Sequence, residues 1–344
     1  MKILNITEKY YNFDCASVKS QKANIKKLQS AGLYPKSFDL PLLLQFELTH
    51  KCNVFCKHCY NNSGRNNTTA DAMTPEKWKE FCHYIVSNGG IFECVISGGE
   101  PLLLGDDLFD IMDILHDDGT HFLLITNGFL LSEEKIKRLT KYRYKWIQIS
   151  IDGATPEYHD EFRQRKGSWE RAVNGAFMVS SSGLPLTIAH SVSAQNLNDV
   201  DAMCDLAYDL GAGNIILGEI SLSGRTYENQ NLLLNEDERE HLLEKIEYNA
   251  KRFKGKMQVQ RSMSEKLQYE QQVGIPCTGL IIRPDGNIRL DCMAPFVLGN
   301  VLKDDFVEIW NTKVADVWER PEIREYYNSL CSSVKNYVDK DIIL

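Results

Sequence analysis

Three observations predict an α/β fold built on a parallel sheet for this 344-residue chain. Strand-sized apolar runs alternate with helix-sized amphipathic segments between residues 42 and 255, the pattern expected of βα units. The links between them are short and carry capping and glycine signals. Beyond residue 255 the alternation gives way to a hairpin signal, so a small second module completes the chain.

Taken in order, residues 1–41 are polar and mixed, without strong periodicity, and too short to build a core alone. They are expected to form a cap segment, either a short cap or a strand and helix packed on the main body. Strands are predicted at Leu42–Leu48, Phe92–Ile96, Phe122–Thr126, Trp146–Ile151, Leu186–Ser191 and Ile215–Ile220. Helices are predicted at Pro75–Ser87, Leu108–Leu115, Glu133–Tyr142, Trp169–Ser181, Asp199–Leu210 and Glu236–Phe253. Thr74-Pro75 sets a cap residue before a proline whose missing N–H costs nothing in a first turn. Asn235 followed by Glu236, Asp237 and Glu238 places acid where the helix dipole favours it. Gly89-Gly90, Gly119, Gly183 and Gly211 close helices. The parallel sheet is either doubly wound or a barrel-like arc, and in both cases functional residues belong at the carboxyl ends of strands. In the module 256–344, Leu280–Arg283 and Asn287–Leu290 flank Pro284-Asp285-Gly286, a strong hairpin signal. Short helical pieces follow at Asp305–Asn311 and Pro321–Ser329.

The 39 basic and 47 acidic side chains give a net charge of −8, which argues against a nucleic-acid surface. No apolar run approaches the length of a membrane span, and Met1–Tyr11 lacks a signal-peptide pattern; a cytoplasmic protein is expected. In a reducing compartment its ten cysteines point to metal binding or catalysis rather than disulfides. Cys82 and Cys94 fall in apolar patterns and read as small hydrophobes. The informative ones are Cys52, Cys56 and Cys59, then Cys277, Cys292 and Cys331.

Cys52, Cys56 and Cys59 sit on the loop directly after the first strand, at spacings that let three thiolates converge from one loop. Zinc prefers a closed set of four ligands, commonly two separated pairs. An iron–sulfur cube held by three cysteines keeps one iron without a protein ligand. No fourth partner is evident, since His58 lies between two ligands and is expected to point away, so the count favours an open iron site.

Cys-x3-Cys-x2-Cys followed by Tyr60 resembles the cluster loop of the radical S-adenosylmethionine (radical SAM) superfamily. Three further segments match in order: Ser97-Gly98-Gly99-Glu100-Pro101 after the second strand, Thr126-Asn127-Gly128 after the third, and Ser150-Ile151-Asp152-Gly153 after the fourth. The resemblance implies a partial (β/α)6 TIM-like barrel over residues 42–255. It implies that Cys52, Cys56 and Cys59 hold a [4Fe-4S] cluster whose free iron binds SAM. Gly98, Gly99 and Glu100 would hold the methionine amino group, with Asn127, Ser150 and Asp152 completing the pocket and Tyr60 flanking cluster and adenine. Arg163 resembles an arginine that pairs with the SAM carboxylate, and Arg225 is placed similarly. His190 is as readily a core histidine as a lumen residue.

Cys277, the Pro-Asp-Gly hairpin, Cys292, Leu298–Val301 and Glu308–Asn311 resemble a SPASM or twitch domain, which carries auxiliary iron–sulfur clusters. One auxiliary cluster is expected, held by Cys277, Cys292 and Cys331, with the hairpin bringing the first two together. Cys331 could instead donate hydrogen, and Asp291 is a candidate unusual ligand. The later cysteines of a full SPASM pattern are missing. The function implied is maturation of a ribosomally made peptide (RiPP maturation) by thioether or carbon–carbon crosslinking or epimerisation. The expected partners are a peptide substrate, a separate leader-binding protein, and a reductant such as flavodoxin or ferredoxin. Maturation of a small cofactor or a sulfatase-type side chain, and a non-catalytic iron–sulfur sensor, are the alternatives.

Overall fold

The computed structural model describes residues 6–64, 70–329 and 341–344, with side chains from Ser17 onward; Cys331 lies outside the described residues. Seven parallel strands form the body: β1 (Leu43–Glu47), β2 (Glu93–Ser97), β3 (His121–Thr126), β4 (Tyr144–Ser150), β5 (Leu186–Val192), β6 (Asn214–Glu219) and β7 (Gln258–Arg261). Helices Pro75–Ser87, Asp106–Asp117, Glu133–Leu139, Ser168–Ser181, Val200–Asp209 and Glu236–Arg252 connect them. Thr74 and Asn235 cap as expected; Asn235 and Glu238 form a reciprocal capping box.

The C-terminal hairpin is not a freestanding module. β8 (Gly279–Ile282) pairs in parallel with β1, so that Phe46 opposes Ile282. β9 (Asn287–Arg289), β10 (Phe296–Asn300) and β11 (Ile342–Ile343) extend the same sheet, whose order is β11-β10-β9-β8-β1-β2-β3-β4-β5-β6-β7. β7 likewise carries the barrel's sheet past residue 255. Its sequence, Gln-Val-Gln-Arg, has too few apolar residues to announce a strand. A further helix, Ile6–Ser30, packs against Glu236–Arg252 and Glu265–Gln272, and its polar composition hid it.

Strand alternation sorts the side chains into two layers. Leu44 and Phe46 point outward, and Phe46 stacks 5.0 Å from the Trp78 ring and 5.9 Å from Phe81. Ile96, Leu124, Ile147, Ile149, Ile188 and Leu217 are all fully buried in the same layer, each contributing about 1.5–3 kcal/mol. Cys82 and Cys94 are buried there as small hydrophobes. The inward parity is mixed, with Val95, Leu123, Ile125, Ala189 and Ile216 sharing it with polar residues. Glu47 opposes Ser97, Gln148 opposes Thr187, Thr187 opposes Asn214, and Asn214 opposes Gln258. Polar residues at the two ends of that face depart from the apolar-on-both-faces pattern of ordinary parallel strands.

Candidate active site

The three-cysteine loop leaves β1 at its carboxyl end and is held by its neighbours almost residue by residue. The Phe55 N–H donates to the Arg163 carbonyl and the Lys57 N–H to the Phe162 carbonyl, both at 3.0 Å. Arg225 Nε donates to the Cys56 carbonyl at 2.7 Å, its Nη1 to the Ser63 carbonyl at 2.8 Å, and its backbone N–H to the Cys59 carbonyl at 3.1 Å. The same guanidinium lies 3.9 Å from the Phe55 ring centre. Arg225 therefore has the loop's own carbonyls as its partners, where the resemblance suggested a ligand carboxylate. His58 points away from its cysteine neighbours, stacking 4.5 Å from Phe162 with Nε2 3.2 Å from Ser191 Oγ. Burial pushes the Cys52 thiol up to about 11 and the Cys56 thiol up to about 12. Neither is a nucleophile unaided; a coordinated cation is what removes such protons.

The Gly98-Gly99-Glu100 segment braces this loop. A Cβ at Gly99 would overlap the Lys51 carbonyl oxygen, and one at Gly98 would lie 2.9 Å from that of Thr49. The Gly99 N–H donates to the Thr49 carbonyl at 2.6 Å and the Glu100 N–H to that of Lys51 at 2.9 Å. The glycines thus permit two backbones to touch, seating the end of β2 on the root of the cysteine loop. Glu100 is fully buried, and its carboxylate accepts from Leu102 N–H (3.1 Å), Thr126 Oγ1 (2.7 Å) and Asn127 N–H (2.8 Å). Asn127 reaches back to the loop, donating to Asn53 Oδ1 at 2.8 Å.

At the end of β4 a buried ion pair faces the thiols. Arg163 Nε and Nη2 both meet Asp152 Oδ2, at 2.8 and 2.7 Å, while Asp152 Oδ1 accepts from Ser191 N–H at 2.9 Å. Burial alone would raise the Asp152 carboxyl. Arg163 outweighs it, with help from His58 and His159, and holds it well below the usual carboxylate range. Ser150 lies beside this pair on the lumen face of β4. His190 shares the outward parity of Ile188, with Nδ1 3.1 Å from the Ile151 carbonyl, which makes it a structural histidine.

A second network escaped sequence reasoning. Tyr60 OH donates to Glu47 Oε1 at 2.9 Å, and Asn61 Nδ2 donates to Glu47 Oε2 at 3.0 Å. Arg283, from the β8–β9 turn, donates through Nη2 to Asn61 Oδ1 at 2.6 Å, with its Nε 3.6 Å from Glu47 Oε2. The available signal was the period-two placing of Gln45 and Glu47 between Leu44, Phe46 and Leu48 in an otherwise apolar strand. Cys277 and Cys292, expected to be clipped together by the hairpin, are both free thiols. The ladder ends at Ile281–Arg289, short of both cysteines. Cys277 Sγ donates to the Gly279 carbonyl at 3.4 Å near Phe38 and Trp310. Burial and the carboxylates of Asp291, Glu47 and Glu265 push the Cys292 thiol up instead.

Among the described residues, no three His, Cys, Asp or Glu side chains close on one ion. That disfavours a single zinc, whose ligands sit about 2.0–2.3 Å from one point. In an iron–sulfur cluster each thiolate meets its own iron, and three thiols carried on one braced loop, two of them (Cys52 and Cys56) pushed up by burial, fit that group. Residues 46–207 match the radical SAM superfamily. This segment is thus a radical SAM domain. Residues 274–333 match SPASM, an iron–sulfur cluster-binding domain. The cofactors are accordingly a [4Fe-4S] cluster and SAM, with an auxiliary iron–sulfur cluster in the SPASM domain.

The chain is 28% identical over 290 residues to the antilisterial bacteriocin subtilosin biosynthesis protein AlbA of Bacillus subtilis strain 168, a match covering 82% of this chain and 62% of AlbA. It is 35% identical over 172 residues to the AdoMet-dependent heme synthase of Methanosarcina barkeri strain Fusaro, covering 50% of this chain and 48% of that protein. The chain thus spans less than two thirds of the length of these two relatives. Streptococcus suis SuiB bound to its precursor peptide SuiA shares the fold, with a TM-score of 0.62 at 14% identity over 94% of this chain and 76% of SuiB. No helix among the described residues is long and apolar enough to cross a membrane.

Proposed function

We propose that this chain is a RiPP maturase that cleaves SAM reductively and abstracts hydrogen from a ribosomally made peptide. The observation that carries the reading is the braced loop of Cys52, Cys56 and Cys59 at the carboxyl end of β1, with the buried Asp152–Arg163 pair at the end of β4. A cluster bound there would supply the single electron that reductive cleavage of SAM requires, and SAM would supply the group that removes hydrogen from the substrate. The chain's own residues bind, orient and exclude water. Cys52, Cys56 and Cys59 would hold the cluster. Gly98 and Gly99 would present backbone groups to SAM, Ser150 and Asn127 would line its pocket, and Arg163, held by Asp152, would meet its carboxylate. Glu100 fixes Asn127 from behind. In the SPASM domain Cys277, Cys292 and Cys331 are the thiols available to the auxiliary cluster.

The resemblance to AlbA over most of the chain favours a peptide substrate; crosslinking or epimerisation is the expected outcome. A separate leader-binding protein and a flavodoxin or ferredoxin would serve as partners, in the cytoplasm. The 35% identity to a heme synthase over half the chain supports a second reading, maturation of a small cofactor. Anaerobic incubation of the reconstituted protein with SAM, dithionite and either a neighbouring precursor peptide or iron coproporphyrin separates the two. The proposal expects a mass change in the peptide with stoichiometric 5′-deoxyadenosine. Turnover of the porphyrin alone would overturn it.

A further inference from the structure

Arg283, Asn61 and Glu47 link the hairpin turn of the C-terminal domain to the residues that follow the third cysteine. Glu47 is 1% exposed and Asn61 6%. Both carboxylate oxygens of Glu47 are engaged, one by the Tyr60 phenol and one by Asn61. Arg283 holds Asn61 from the other side at 2.6 Å. A second tie runs in parallel, the Met73 N–H donating to the Pro284 carbonyl at 2.8 Å. Tyr60 follows Cys59 directly, so whatever fixes its phenol fixes the backbone that carries the last cluster ligand. On the opposite side, a Cβ at Gly224 would overlap the Cys59 and Tyr60 carbonyl oxygens. The backbone of residues 59–60 is therefore held between the turn at 224 and the Glu47 carboxylate.

We propose that Arg283, Asn61 and Glu47 act as positioning residues that make the geometry at Cys59 depend on how the C-terminal hairpin is seated. The inference rests on the assignment of Cys52, Cys56 and Cys59 as the cluster loop. Charge and geometry both favour it. Glu47 is a buried carboxylate whose nearest cation is Arg283, and a buried charge that loses its partner is strongly disfavoured. Unseating the hairpin therefore leaves Glu47 free to draw Tyr60 or Asn61 into a new arrangement. The chain thereby ties radical generation to the seating of its C-terminal domain.

The test compares full-length, anaerobically reconstituted wild type with Arg283→Met, Arg283→Lys, Asn61→Ala and the Arg283→Met/Asn61→Ala double variant. The readouts are iron content, the EPR spectrum of the reduced cluster with and without SAM, and kcat and KM for 5′-deoxyadenosine formation. Arg283→Met and Asn61→Ala are expected to keep their radical-cluster iron, to alter the SAM-induced EPR change, and each to lower kcat about tenfold. The double variant should be no worse than either single change, because both cut one chain. Arg283→Lys should recover part of the loss. Wild-type EPR and kcat in a folded Arg283→Met variant, or fully additive losses, would overturn the proposal. Asn61→Ala cuts the chain from the loop side, so a Met variant that fails to fold leaves the measurement intact. Failure of the wild type to cleave SAM would instead refute the functional reading beneath it.

Discussion

Glu100→Ala removes one acceptor from three donors at once. Two of them, the Leu102 and Asn127 N–H groups, belong to the backbone and cannot rotate toward water; the Thr126 hydroxyl can. A buried donor left without its partner costs about 1–3 kcal/mol, so two cost about 2–6 kcal/mol. Burial pushes the Glu100 carboxyl up despite its hydrogen bonds, so alanine also relieves some desolvation at neutral pH. The net expectation is therefore at the lower end, about 2–3 kcal/mol. Urea denaturation of the reconstituted protein under argon should show the midpoint falling accordingly, with iron content unchanged. SAM affinity, measured by calorimetry, should fall about tenfold because Asn127 and the turn Pro101–Leu104 lose their anchor. A variant within about 0.5 kcal/mol of wild type would refute the bracing argument. Lost SAM affinity at unchanged stability would show the carboxylate to be a direct ligand.

Two further substitutions probe the scaffold. Asp152→Asn breaks a buried ion pair, at a cost of about 3–5 kcal/mol at neutral pH. Because the Asp152 carboxyl is depressed in the fold, its contribution is present above the unfolded value near pH 3.9 and is lost as pH falls toward the folded one; the variant's stability should fall less steeply than wild type below about pH 4 in acid titrations followed by circular dichroism. Gly99→Ala drives a methyl into the Lys51 carbonyl and should cost about 1–3 kcal/mol in urea. Gly213→Ala, whose methyl meets only the Leu186 carbonyl at 4.0 Å, is the matched control and should stay within about 0.5 kcal/mol.

Much of the fold was legible because its signals are local. The helix Pro75–Ser87 was placed to the residue by its cap, its proline and the closing glycines Gly89-Gly90. Six strands were placed within a residue or two by apolar runs bounded by glycines. β7 and the helix Ile6–Ser30 were not, since neither is apolar enough to stand out and both are stabilised by what they pack against. The pairing of β8 with β1 is a contact between residues more than two hundred positions apart, which no local pattern reports. The cysteine loop and the segments at the ends of β2, β3 and β4 were legible as motifs, but their mechanics were not. Gly98 and Gly99 face backbone rather than open space, and the guanidinium of Arg225 meets carbonyls of the loop. The grip of Glu47 on Tyr60 and Asn61 appears only once the loop folds back over β1.

The most direct test of the central claim is iron, sulfide and 5′-deoxyadenosine measured together for wild type and the Cys52/Cys56/Cys59 triple alanine variant after anaerobic reconstitution. Wild type should carry about eight irons per chain, four for each cluster, and should release 5′-deoxyadenosine from SAM on reduction with dithionite. The triple variant should keep about four irons and release none. SAM cleavage surviving in the triple variant would contradict the account.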